Sequence, residues 1–377
     1  MWTAYPSPRR PPPIELMVSH SRVRLGAVAV LLGGAALWGL HSRSAIAGGP
    51  AEPARLDLTP EMAEAVARGH EWLAGRQNKN GSFGGSHVPV ATTGIAGLSF
   101  LAAGNVPGRG RYAETVQGAV KYLLDCQRYS RRGYISEPGL GSSSRMHGHG
   151  YATLFLAEVL GTTGGLTGDL DAETIHDAVR KAVRLIEESQ SRDGGWMYEP
   201  KPQGDEGSVT VTQVQALRSA RNAGIRVNKT TIDRAVDYIR KSANADGGIR
   251  YSLSSGGSDS SFALTAAGVS VMNYLGEYEM PQIERGMKYL DLAMRGGGSG
   301  RRPRGQFQSY EDFYAALAFY QAGGAAWATH WPVLRDAILK RRNADGSWPD
   351  TYGPEFGTAF PTLTLQIPSQ YLPIFQR

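Results

Sequence analysis

Cysteine is almost absent: Cys126 is the only one in 377 residues. A lone thiol excludes an intrachain disulfide, so packing alone must hold the fold. The body of the chain also lacks an excess of one charge. The formal net charge is +6, but five basic residues (Arg9, Arg10, Arg22, Arg24, Arg43) and one acid (Glu15) precede residue 48, which leaves +2 for the rest. A near-neutral body gives no electrostatic footprint for nucleic acid, and no nucleic-acid partner is expected. Long apolar runs are lacking too. Leu25–Leu40 is short for a membrane-spanning helix and contains Gly33, Gly34 and Gly39.

That run has the context of an export signal. Arg22 and Arg24 precede it, and Ala45-Ile46-Ala47 follows with the small-x-small pattern that signal peptidase accepts. The expectation is a signal peptide over residues 1–47 (with Met17 as an alternative start), a linker over 48–57 and a single domain over 58–377. The mature chain is then secreted or periplasmic. The alternative is an uncleaved anchor, and the membrane is expected to be met only through this N-terminal segment.

What the chain has in quantity is repetition. Arg68-Gly69-His70-Glu71-Trp72-Leu73 runs on to Gln77 and then Asn80-Gly81-Ser82-Phe83, and Lys181-Ala182 begins a similar stretch through Gln190 to Asp193-Gly194-Gly195-Trp196. Weaker copies run from Gly118 to Gly133, from Arg234 to Ile249 and from Arg285-Gly286 to Tyr289-Leu290, and a sixth ends in Asp345-Gly346-Ser347-Trp348. Each copy predicts an amphipathic helix, such as Tyr112 to Gln127 with Val116, Val120, Leu123 and Leu124 at helical spacing, stopped by a glycine-rich turn. A second helix follows that is small and apolar nearly all round, as over Ala91–Ala103, Tyr151–Leu160, Ala263–Leu275 and Phe313–Ala322. A helix without a polar face must be buried on all sides. Six such hairpins achieve this as an all-α (α/α)6 toroid, with the apolar helices inside and the amphipathic helices outside. The glycine-rich turns are expected to tie each outer helix to the next inner one.

The spacing of basic-Gly/Ala, aromatic-Leu, Gln and Gly-x-aromatic resembles the QW repeat of squalene and oxidosqualene cyclases, best over 68–83 and 181–196. Met146-His147-Gly148-His149-Gly150-Tyr151 resembles the His-Gly-Gly-Tyr segment of protein prenyltransferase β subunits. The resemblance covers about residues 58–350 and implies the α/α-toroid fold of terpenoid cyclases and protein prenyltransferases, which the thioester domains of complement-like proteins share. Its catalytic motifs do not carry over. Where prenyltransferases hold zinc with Asp-x-Cys and His, the matching positions read Asp259-Ser260-Ser261 and Asp312, so no metal and no cofactor are expected. There is no Asp-x-Asp-Asp run of the kind with which class II cyclases protonate their substrates. Cys126 is followed by Gln127 and Arg128 rather than by the Gly-Glu-Gln of a thioester site.

Polar residues nevertheless gather where the inner helices begin: Arg145, His147 and His149, then Asp205 and Glu206, Asp259, Glu311 and Asp312, and Glu355. In a closed ring all of these ends face one mouth. His147, His149, Asp259, Glu311 and Asp312 are the candidate catalytic residues, suited to acid–base work. If Gly148 and Gly150 keep this stretch in a turn, both imidazoles can face the same space. Tyr151, Phe155, Phe262, Tyr310, Phe313, Tyr314 and Phe356 are the candidate lining, whose π faces suit an isoprenoid chain. The insertion Gly296–Gly305, with Arg301, Arg302 and Arg304, is read as a loop or lid. The expected function is binding or transformation of an isoprenoid-like hydrophobic ligand, by a divergent cyclase-like or prenyltransferase-like activity if it is an enzyme. The alternatives are a non-catalytic toroid with a protein partner, and a polysaccharide lyase or hydrolase using the mouth carboxylates.

Overall fold

The computed structural model describes residues 58–376, apart from 86–87, 138–144, 163–169, 257 and 297–306. Residues 1–47, the expected signal peptide, and nearly all of the Gly296–Gly305 insertion lie outside these residues.

Helices alternate between two kinds. The odd-numbered ones, α1 (Pro60–Ala74), α3 (Ala113–Arg128), α5 (Ala172–Ser189), α7 (Lys229–Ser242), α9 (Pro281–Met294) and α11 (Gly324–Lys340), are outer helices. Each buries one stripe, as α5 does with Ile175, Val179, Ala182, Val183 and Ile186. The even-numbered ones, α2 (Pro89–Ala102), α4 (Arg145–Leu160), α6 (Gly207–Asn222), α8 (Phe262–Tyr274), α10 (Gln308–Ala322) and α12 (Pro354–Leu365), form the inner layer. Every residue of α2 is buried. Consecutive inner helices pack side by side, and α12 packs against both α10 and α2. The inner layer is therefore a closed ring, and the protein is an all-α toroid.

Closure repeats one contact. Gly81, Gly194, Gly247 and Gly346 all adopt left-handed backbone, with φ of +89°, +94°, +90° and +95°. Each presses on the backbone of the following outer helix. A Cβ on Gly81 would lie 2.1 Å from the Gly118 carbonyl oxygen, and one on Gly194 would lie 2.2 Å from that of Arg234. Only glycine tolerates both the conformation and the approach. The last of these turns meets the first outer helix: Gly346 abuts Arg68, and Trp72 Nε1 donates to Asp345 Oδ2 at 3.0 Å.

The motif glutamines act at the same joint. Gln190 Nε2 donates to the carbonyls of Gly194 and Thr231, both at 2.9 Å. Gln127 does the same to Gly133 and Ala178 at 2.9 and 3.0 Å, and Gln77 to Gly81 and Thr115 at 3.0 and 2.8 Å. The glutamine's part of the expected tie is thereby corrected: its amide does not reach the next inner helix. The glutamine ties its own turn to the next outer helix, where its amide gives a carbonyl in that helix's first two turns a hydrogen bond beside the helical one.

A second staple does reach inward. The backbone N–H of each Gly-x-aromatic position donates to a threonine hydroxyl on the following inner helix: Phe83 to Thr93 at 2.9 Å, Trp196 to Thr210 at 3.0 Å and Trp348 to Thr358 at 3.0 Å. Ile249 donates likewise to Thr265 at 2.8 Å. After α12 the chain turns through two short 3-10 segments, Ile367–Ser369 and Pro373–Phe375, which pack against α10 and α6. Phe375 stacks edge-on against Phe313, with centroids 6.5 Å apart, so this tail fills the interior of the ring.

Candidate functional site

The inner helices run parallel, so their N-termini converge on one mouth, and their order places α4 opposite α10. From those two facing helices Tyr151 Oη and Tyr314 Oη meet at 3.4 Å, and Tyr314 Oη donates to Gln215 Oε1 on α6 at 2.7 Å. This bridge crosses the axis and closes it at that level. Tyr310 lies against Tyr314, with centroids 4.5 Å apart, and completes a tyrosine floor. Burial pushes the hydroxyls of Tyr151, Tyr310 and Tyr314 well above the ordinary tyrosine range, so they stay protonated donors. Beside the floor, Phe313, Phe356 and Phe360 form an aromatic stack.

Above the floor stands a polar cluster. Glu206, the N-cap of α6, is buried and accepts from Ser208 N at 3.0 Å, Val209 N at 2.8 Å and Ser208 Oγ at 2.6 Å. Ser208 Oγ also meets His147 Nε2 at 2.7 Å. Burial lowers the His147 pKa despite the nearby Glu206 charge. A neutral imidazole then donates Nε2–H to Ser208 Oγ, whose own O–H donates to Glu206 Oε2. This serine is held as a relay. The helix N–H groups that would stabilise an oxyanion are already taken by Glu206, so Ser208 is not arranged as a nucleophile.

Around the cluster lies a partly exposed aromatic rim. Tyr198 and Tyr251 share a hydrogen bond between their hydroxyls, and Tyr198 lies 6.1 Å from His147, centroid to centroid. Phe307 and Tyr352 stack at 6.0 Å, and Tyr352 packs on Phe356 at 5.2 Å. The Glu206 charge reaches Tyr151, Tyr198, Tyr251 and Tyr310, whose ionisation it disfavours along with burial.

The structure divides the residues singled out from sequence. His147 lies in this cluster. His149 does not: α4 has already begun at Arg145, so the two rings point apart. Ile135 N donates to His149 Nδ1 at 3.1 Å, and its Nε2 meets the Ala182 carbonyl at 3.3 Å. His149 thus occupies the position that threonine fills in the other staples, and burial lowers its pKa to about 4. Asp259 is exposed on the loop entering α8. Asp312 is buried in an ion pair with Arg341 at the end of α11 and accepts from Gln308 Nε2 at 3.1 Å, while Glu311 accepts from the same amide at 3.4 Å. Phe155 packs onto Gly97 of α2, and Phe262 is buried at the start of α8. Tyr151, Tyr310, Tyr314, Phe313 and Phe356 do converge on the axis. The rim residues Tyr198, Tyr251 and Tyr352 lie in turns, where no periodicity marks them.

No family model and no curated protein matches the sequence. Solved structures do match in fold. A variant of the type II terpene cyclase MstE from Scytonema, in complex with merosterolic acid A, has a TM-score of 0.56 at 15% identity, over 82% of this chain and 97% of that one. Another MstE structure, with geranylgeranyl dihydroxybenzoate, has 0.54 at 14% identity over 83% and 98%. An α-1,6-mannanase from Salegentibacter sp. HEL1_6 has 0.62 at 7% identity over 82% and 99%. The toroid is shared across both chemistries. At such identities fold alone carries over.

Proposed function

We propose that this toroid is exported, with residues 1–47 removed, and that its mouth binds an isoprenoid-like hydrophobic ligand. The observation that carries the reading is the aromatic rim of Tyr198, Tyr251, Phe307 and Tyr352 standing over a tyrosine floor with one polar cluster beside it. An apolar chain lies against the rim, and its polar end meets the half-buried His147 and Ser208. The Tyr151–Tyr314 bridge keeps the ligand on the mouth side of the floor. Support comes also from the terpene cyclase neighbour, whose structure holds a geranylgeranyl compound.

A specific observation favours a second reading. Exposed aromatic faces also stack on sugar rings, and the mannanase shares the fold. Two of the mouth acids are already engaged, however: Asp312 by Arg341, and Asp205 by Leu253 N at 2.6 Å, Ser254 N at 3.0 Å and Tyr238 Oη at 2.9 Å. Hydrolysis of a glycosidic bond calls for a pair of available carboxyl groups.

Calorimetric titration of the purified protein with geranylgeraniol and with an α-1,6-linked mannotetraose discriminates. The expected result is binding of the isoprenoid alone, weakened about 5- to 30-fold by Tyr352→Ala, the loss of one stacked aromatic being worth roughly 1–2 kcal/mol. Sugar binding alone overturns the isoprenoid reading, and binding of neither overturns the mouth as a ligand site. Export is tested by N-terminal sequencing of the secreted protein, which should begin at Gly48; retention of Leu25–Leu40 refutes cleavage.

A further inference from the structure

The parallel inner helices give the ring an electrostatic axis, with partial positive charge at the mouth and partial negative charge at the opposite end. The acids that begin inner helices suit the mouth. Glu158 does not fit that pattern. It lies in the last turn of α4, at the negative end, and is only 4% exposed. Ser219 Oγ of α6 donates to its Oε1 at 2.7 Å, and its Oε2 has no hydrogen-bond partner among the described residues. The titratable groups facing it are Tyr274 of α8, whose buried hydroxyl also has no partner, and Arg218 of α6, which lies near Tyr274. Among the described residues, the other helices packed on α4 bring no charge to it. α2 has no ionisable side chain, and the packed face of α5 is Ile175, Ala178, Val179 and Ala182.

An ionised Glu158 would therefore have one hydrogen bond among the described residues and the field of several helix C-termini against it. Its free oxygen is sealed from solvent, so a larger counter-ion has no room. A proton needs none.

We propose that Glu158 is a proton-operated clasp on the C-terminal end of the inner ring: uncharged, it holds α4 to α6 through Ser219 and packs beside Tyr274 of α8; charged, it loosens that end. Burial pushes its pKa up to about 7 against the opposing effect of the Ser219 bond. Because the folded-state value lies above the ordinary 4.5, the stabilisation is complete below about pH 4.5 and is lost as pH rises through 7. The Tyr274 hydroxyl is also among the groups that disfavour ionisation of Tyr314 in the tyrosine floor.

The test is hydrogen exchange of the last-turn amides of α4 and α6 in the whole protein at pH 5.5 and 8.5. Glu158→Gln serves as the uncharged reference, and protection factors remove the intrinsic pH dependence of exchange. Wild-type protection should fall by about 30-fold more than that of Glu158→Gln over this interval. Parallel behaviour of the two proteins overturns the proposal. Ser219→Ala removes the bond that favours the charged form, so its loss of protection should begin at higher pH than in wild type. A midpoint that stays put or moves down overturns the proposal as well, and this arm does not depend on Glu158→Gln folding.

Discussion

Replacing Gln190 with alanine tests the inter-repeat tie most directly. Its amide nitrogen bridges two carbonyls, Gly194 O and Thr231 O, and the residue is only 5% exposed. Truncation removes both bonds and strands Gly194 O where water enters with difficulty, while Thr231 O keeps its bond within α7. A typical bond contributes about 1 kcal/mol net, and a stranded buried acceptor costs roughly 1–3 kcal/mol. Two carbonyls on one donor, partly relaxed, bring the loss to about 3 kcal/mol. Gln77 makes the same pair of bonds from a half-buried position. There water replaces the amide, and the loss should be about 1 kcal/mol. Gln190→Glu should be worse than Gln190→Ala, because a carboxylate would face two carbonyl oxygens. The assay is denaturant unfolding of the whole chain, read as the midpoint shift with the slope checked for constancy. Equal losses at Gln77 and Gln190, or a Gln190→Ala loss below about 0.5 kcal/mol, would show that helix packing and not the amide holds the joint.

Two further substitutions follow from the turns and staples. Gly81→Ala must suffer both left-handed backbone and an impossible approach to Gly118, whereas Gly224→Ala, at φ +87° with nothing within 4 Å, suffers the backbone penalty alone. Gly224→Ala should cost about 1–2 kcal/mol and Gly81→Ala clearly more, read as paired thermal melts; equal costs would refute the close-approach account. His149→Thr should keep near-normal stability because it restores the staple of the other repeats, while His149→Ala should lose roughly 1–3 kcal/mol by stranding Ile135 N–H. A destabilised His149→Thr would show that the imidazole's bond to Ala182 or its packing matters more.

The layer plan was legible because helical periodicity reports burial: outer helices show a stripe, inner helices none. The turns were legible because glycine alone fits them. The inner staple was harder to read. In four repeats it is a threonine buried in an apolar helix, an unremarkable residue, and in the second it is His149. Only the acceptor matters to the donating N–H, so a chemically conspicuous side chain fills a structural place. His147 and His149 looked like a pair for that reason, and the helix starting at Arg145 sends them to different neighbours. Glu206 was visible among the acids that begin inner helices, but its bond to Ser208 and the contact of that serine with His147 join two helices. No spacing along one strand of sequence encodes such a meeting. The tyrosine bridge is similar: Tyr151 and Tyr314 were readable as lining, but not as a plug, since that depends on α4 facing α10.

The contact that shuts the ring joins residues far apart in the chain: Arg68 bonds the carbonyl of Ala344 across a separation of 276 residues. Until the last hairpin exists, the first five form an open arc. Its two raw edges, α2 and α1 at one end and α10 at the other, have nothing to cover them. At ordinary synthesis rates of 5–20 residues per second, the leading edge waits roughly 14–55 seconds for its partner. During that interval stability can accumulate only from neighbour to neighbour, as in a solenoid, and the cooperative gain of a closed circle arrives in a single late step. A chain truncated just before α12 should therefore forfeit more than one hairpin's share of stability.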